Sequence, residues 1–238
     1  MKIFFIKYNT LKIIIIALIL LIVFTFIFTY VKRTKSTETF NNGDVFYKGN
    51  IDKQIIAFAC NVDWGNEYIP AMLQTFRNND IKITFFVTGR WAEKYQGLLK
   101  NIHKEGHEIG NHGYKHRDYS KLGYEENKKE ITRAHNIIMK VTGEKPKYFA
   151  PPAGAFNDFT IKAANDLDYD VIMWSIDTID WRKDSKKEKI IQRVISKTHN
   201  SAIVLMHPKQ ETIKALPELI NSLEKQGYKI GKVSDIIR

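Results

Sequence analysis

Gly106-His-Glu-Ile-Gly-Asn-His-Gly-Tyr-Lys-His116 is the stretch from which this chain is best read. Its first half, up to Asn111, reads as a turn and a short strand ending in a polar tip. His112 and His116 come next, four residues apart. One helical turn between them would bring both imidazoles toward one metal ion. At the end of a strand, they would stand where α/β proteins keep their chemistry. Taken alone, the pair reads more readily as two solvated histidines on a basic surface, since Lys115 and Arg117 flank His116. Its weight comes from its surroundings.

On both sides of this stretch, short apolar runs alternate with amphipathic ones. Strands are expected at 55–61, 83–87, 107–111, 148–150, 170–174, 202–206 and 228–230, and helices at 67–79, 91–105, 124–141, 157–167, 186–198 and 212–226. In the third helix Ile131, Ala134, Ile138 and Val141 fall at i, i+3, i+7 and i+10, one face of a 3.6-residue period. Strands and helices alternating on this beat give a parallel α/β sheet, open or closed into a barrel.

Residues 1–35 read as a separate object. From Ile13 to Val31 the chain is apolar apart from Thr25, Thr29 and Tyr30, long enough to cross a bilayer core as one helix. Lys2, Lys7 and Lys12 precede it, and Lys32, Arg33 and Lys35 come after it. No small-x-small cleavage pattern stands near Tyr30, which favours a retained membrane anchor over a cleaved signal. Either device would export the rest of the chain, and the domain is expected outside the cytoplasm, at the cell surface. Residues 36–53 are polar, with Asn41-Asn-Gly43, and read as a stalk; 54–238 suit one domain with a full-sized core. Of the formal +11, six positive charges lie in 1–35, leaving about +5 for the rest. That balance suits an anionic wall or membrane surface. No stripe of Lys and Arg interleaved with aromatics suggests nucleic acid. Cys60, the only cysteine, falls in an apolar run and reads as a small core residue.

Further motifs stand in order around the histidine pair: Ile83-Thr-Phe-Phe-Val-Thr-Gly89, Phe149-Ala-Pro-Pro-Ala-Gly154, Trp174-Ser-Ile-Asp-Thr-Ile-Asp-Trp181 and Ile203-Val-Leu-Met-His207. With His112 and His116, this series resembles the polysaccharide deacetylases, the NodB-homology domain of carbohydrate esterase family four, over about residues 54 to 235. The resemblance implies a distorted (β/α) barrel. It also implies metal-dependent removal of N-acetyl or O-acetyl groups from a cell-wall polysaccharide, with peptidoglycan the default. The family's metal is held by two histidines and one aspartate; His112 and His116 match the pair, and zinc heads several divalent ions that would suit. A metal with open positions lowers the pKa of bound water and polarises a carbonyl. His207 matches the family's general acid, needed because an amine leaves poorly unprotonated, and Asp177 matches the aspartate that orients it. Trp181, Leu205 and Pro152 match the substrate groove around the acetyl methyl.

Two motifs depart from the pattern. The family's first motif, Thr-Phe-Asp-Asp-Gly, carries base and metal ligand on its two aspartates. Counting back without gaps from Pro70 sets Asn61 on the base and Val62 on the ligand; sliding by two sets Asp63 and Trp64 there. The family's arginine before Pro-Pro, which holds the base, is Ala150 here. An arginine facing an amide would be a buried cation without its partner, so the two losses belong together. Three readings are open: an active variant with Asp63 as third ligand or base, a domain that binds glycan with little or no turnover, and a purely structural module.

Overall fold

A computed structural model describes residues 19–25 and 45–238 of the 238-residue chain. The chain divides between Asn42 and Gly43. In the first part, 19–25 are helical and their apolar side chains, from Ile19 to Phe24, are exposed. The rest of the expected 13–31 span, and 36–44 of the expected stalk, lie outside the described residues. Among the described residues no helix is long and apolar enough to cross a membrane.

The second part is built on β1 (Val45–Phe46), β2 (Ile55–Val62), α1 (Ile69–Asn78), β3 (Thr84–Val87), α2 (Gly89–Lys94), α3 (Gln96–Lys104) and β4 (Glu108–Asn111). It continues through α4 (Tyr124–Thr142), β5 (Tyr148–Phe149), α5 (Asp158–Asn165), β6 (Asp170–Ile172), β7 (Ile176–Asp177), α6 (Lys187–Ile195), β8 (Ile203–Met206), α7 (Gln210–Lys225) and β9 (Lys229–Gly231). Every strand pairs in parallel, in the order β1-β6-β5-β4-β3-β2-β8-β7, with β9 alongside the start of β2.

β2 lies at the centre and explains the layering. Ile56, Phe58, Cys60 and Val62 point to the helix-covered side, where they join Met72, Phe76, Phe85, Leu219 and others in the main core. Ala57 and Ala59 point to the concave side, packed with Phe86, Tyr148 and Ile203. Alternation by two thus sends the large side chains of β2 outward and its alanines inward, where the larger residues of neighbouring strands close over them. Gly110 on β4 lies under Phe86, where a Cβ would collide with the ring.

The expected strand over 170–174 is broken. β6 pairs with β5 through Tyr148–Asp170 and Phe149–Val171, whereas β7 pairs with β8 through Ile176–Val204 and Asp177–Leu205. Met173, Trp174 and Ser175 carry the chain from one edge of the sheet to the other. The result is a curled half-barrel whose edges are joined by a broken strand. The single helix expected over 91–105 is also two: Tyr95, at φ −115° and ψ 45°, leaves helical geometry between α2 and α3 while packing its ring on Trp91.

At the end of the sheet opposite the strand tips, the first and last segments of the domain meet. Lys48 bridges Ala202, and the Gly49 amide donates to the Ser201 carbonyl at 2.8 Å. Asn50 exchanges two hydrogen bonds with Arg238, at 2.9 and 3.0 Å.

Candidate active site

The C-terminal tips of β2, β4, β7 and β8 surround a pocket of about 360 Å³. This is the end where parallel sheets present their loops and ligands bind. Leu205 forms part of its floor, and Trp174 and Trp181 part of its wall.

His207 enters from the tip of β8. Its Nδ1 lies 2.7 Å from Asp180 Oδ1, while Asp180 Oδ2 accepts the His207 backbone N–H and the Thr212 hydroxyl, each at 2.7 Å. A carboxylate only accepts, so Nδ1 carries the proton and Nε2 is the free nitrogen. Asp180 is 1 % exposed, and its two oxygens receive three hydrogen bonds. The sequence reading gave this role to Asp177, and the structure corrects it. Asp177 also lines the pocket, but its Oδ1 accepts from the Ile179 amide at 2.7 Å. Between the two aspartates Ile179 takes φ +52°, a costly conformation for a β-branched residue, in a turn that leads from the pocket-lining Asp177 to the buried Asp180. Trp64 lies flat against the His207 imidazole, with ring centroids 5.6 Å apart and planes 12° from parallel.

His112 and His116 do come together, though not across the helical turn their spacing suggested: residues 112–116 form an irregular loop, with His116 at φ +54°. Their ring centroids are 5.2 Å apart and both line the pocket. His112 Nδ1 lies 2.7 Å from the Ala150 carbonyl and donates to it, which leaves Nε2 bare. Burial, reinforced by the neighbouring His116 charge, pushes the His112 pKa down to about 3, so the ring is neutral at physiological pH.

The end of β2 decides the rest. Asn61 stands on the concave side, 5 % exposed, and lines the pocket; its Oδ1 has no hydrogen-bond partner. Val62, fully buried, points the other way into the helix-side core. Asp63 reaches the pocket but is engaged: Oδ1 accepts from Thr88 and from Arg90 Nε, both at 2.7 Å, and Oδ2 pairs with the far end of the same guanidinium. Partial burial raises its pKa, but the Arg90 and Thr88 hydrogen bonds and the Arg90 charge outweigh that and hold the carboxyl below its ordinary range. It is a weak base in this state. Gly65 makes the turn possible: at φ +76° it lies so close to Pro208 that a Cβ would collide with the backbone.

The expected two-histidine, one-aspartate centre is therefore not assembled. Two imidazoles converge, one of them with its nitrogen properly bared, but Val62 faces away and both Asp63 oxygens are taken. Among the described residues no group of three His, Cys, Asp or Glu side chains stands together as a metal site. The residues present do not fit that centre. Pro152 is also corrected: it is buried, and its neighbour Ala153, at φ +54°, lines the pocket instead. Ala150 is buried and contributes its carbonyl to His112. Sequence reading missed Asp180, Thr212, Arg90 and the stacking of Trp64; only the Asp180-Trp181 adjacency offered a hint.

A sequence profile for polysaccharide deacetylases matches residues 48–172. The chain is 42% identical over 192 residues to the uncharacterized protein YlxY of Bacillus subtilis, covering 80% of this chain and 60% of that one. It thus spans about 60% of the length of that relative. It is 30% identical over 198 residues to the peptidoglycan-N-acetylmuramic acid deacetylase PdaA of the same organism, covering 82% and 75% of the two chains. Among solved structures it resembles a carbohydrate esterase family four pseudoenzyme from Bacillus anthracis at 38% identity and a TM-score of 0.79, covering 82% of this chain and 70% of the other. A mutant of that protein, described as having restored enzymatic activity, matches at 36% identity and the same TM-score, covering 82% and 72%.

Proposed function

Because this chain belongs to the polysaccharide deacetylase family, we propose that its pocket takes an N-acetylated sugar of the cell wall, of the peptidoglycan type, and turns it over weakly. The domain is that of a deacetylase-like hydrolase. One observation carries the reading: the proton-donating half of the site is complete, while the carboxylate half is missing. His207, held by buried Asp180, offers Nε2 to the pocket; a proton taken up there from water would pass to a departing amine. Asn61 cannot accept a proton at neutral pH, Val62 faces the core, and Asp63 is neutralised by Arg90. The absent base alone corresponds to a deficit of about 10²–10⁴-fold.

A second reading rests on Arg90, whose side chain is half exposed while that of Asp63 is only 8% exposed. Withdrawal of the guanidinium into solvent would free a carboxylate beside the two histidines and restore a divalent-metal centre. Zinc suits two imidazoles and a carboxylate.

The retained anchor over 13–31, and with it an extracytoplasmic domain at the cell surface, is part of this proposal. It is motivated by the apolar run between basic flanks. Cell fractionation with intact-mass measurement tests it, and a soluble product beginning after Tyr30 would refute it. The function is tested by co-sedimentation of the full chain with purified peptidoglycan and by acetate release. Binding with slow release is expected. No binding would overturn the reading, and fast release that Asp63→Ala abolishes would install the second one.

A further inference from the structure

We infer that Asn61 reads the acetyl group: its side-chain amide pairs with the amide of an N-acetylated sugar, so that the pocket selects acetylated over deacetylated glycan. This rests on the reading that the pocket takes a wall glycan, and it names the chemical feature that is recognised.

Asn61 stands beyond Ala57 and Ala59 on the concave face of β2, where small apolar residues pack. An amide there, 5 % exposed and with Oδ1 lacking any partner, is costly to keep. No charged side chain is hydrogen-bonded to its Oδ1. Residue 150 is alanine, Val62 points away, and the Asp63 carboxylate is turned to Arg90. The wall beside it is apolar, with Leu205 and Trp174 in the same pocket, a surface suited to a methyl group.

An acetamide brings one N–H, one carbonyl and one methyl. Asn61 offers the matching acceptor and donors, and a half-turn about its last torsion exchanges them without changing shape. A deacetylated sugar brings an ammonium instead. It carries only donors and a charge, brings no methyl for the apolar wall, and leaves the Asn61 donors unanswered; the carboxylate it could meet in this pocket is Asp177, not residue 61. A group that would take a proton from the attacking water is thus replaced by one that pairs with the acetamide and takes none.

The test titrates the full chain with tetra-N-acetylchitotetraose and with fully deacetylated chitotetraose, for wild type, Asn61→Leu and Asn61→Asp. Wild type is expected to prefer the acetylated oligomer, and Asn61→Leu to lose roughly tenfold in affinity for it. Asn61→Asp, of the same shape, should move the preference toward the cationic oligomer. Thermal melting separates this role from a structural one: Asn61→Leu removes an unpaired buried amide and should melt at or above the wild-type temperature. Wild-type binding that Asn61→Leu leaves unchanged would overturn this inference alone. A wild type that binds neither these oligomers nor peptidoglycan would overturn both it and the glycan reading. An Asn61→Leu chain that melts well below wild type would assign Asn61 a packing role and remove the inference.

Discussion

Asp180 holds His207 from two sides at once, taking the ring Nδ1 proton and the backbone N–H on its two oxygens, each at 2.7 Å. Removing Asp180 would leave the partly buried His207 ring, its amide and the buried Thr212 hydroxyl without their partner. Asp180→Ala is therefore expected to cost about 3–5 kcal/mol. Asp177→Ala loses one bond from a half-buried residue and should cost about 1 kcal/mol. Chemical denaturation of the two variants checks the order. Equal losses would return the role to Asp177.

Rebuilding the base should raise turnover. Asn61→Asp with Ala150→Arg supplies the family's base and its arginine partner together, and acetate release is expected to rise by about 10²-fold or more. Each single change introduces a charge without its counter-charge and should do less, so the pair will be non-additive. Rates of acetate release from peptidoglycan for the four chains measure this directly.

Arg90 competes for Asp63 with anything else that would bind there. In Arg90→Ala the carboxylate is free, and zinc affinity should rise by about tenfold or more over wild type. Adding His112→Ala should abolish that gain. Metal content after dialysis against graded chelator provides the readout, and equal zinc retention in wild type and Arg90→Ala would count against the lock.

Acid should weaken the fold well before carboxylates titrate. Burial, with help from the Lys82 charge, pushes the His107 pKa down to about 4, while an unfolded histidine titrates near 6.5. As pH falls the unfolded chain takes up the proton first, so stability is full above about pH 7 and declines from pH 6.5 toward 4. At pH 5 the loss from this one residue is about 2 kcal/mol. His107→Asn keeps an acceptor for the Ile83 amide, now bonded to His107 Nδ1 at 3.1 Å, without the titration. Its stability–pH curve should be flatter by that amount.

The strands and helices were legible because large apolar residues recur at two in β2 and at 3.6 in α4, and run unbroken in β8. β1 and β7 were not: β1 falls within the polar 36–53 stretch read as a stalk, and β7 lies just past the apolar run that ends at Trp174. The histidine pair was legible from its spacing. Asp180 was not, because two aspartates three apart in Trp174–Trp181 look alike until the backbone turns over at Ile179, and isoleucine is the last residue expected at φ +52°. Asp63 was weighed as a ligand because position alone was visible. Its capture by Arg90, 27 residues away, depends on how the β2 and β3 tips lie side by side.

The hydrogen bonds that tie Lys48, Gly49 and Asn50 to Ser201, Ala202 and Arg238 give the domain a defined mechanical footing. A pull applied through residue 45 is met first by the β1–β6 pairing and then by these clasps, which hold the start of β8, away from His207 at its tip. The two fastened ends also mark where the chain could be rejoined: a short linker from 238 to 45, with new ends cut in an exposed loop, should give a circular permutant with its pocket walls undisturbed.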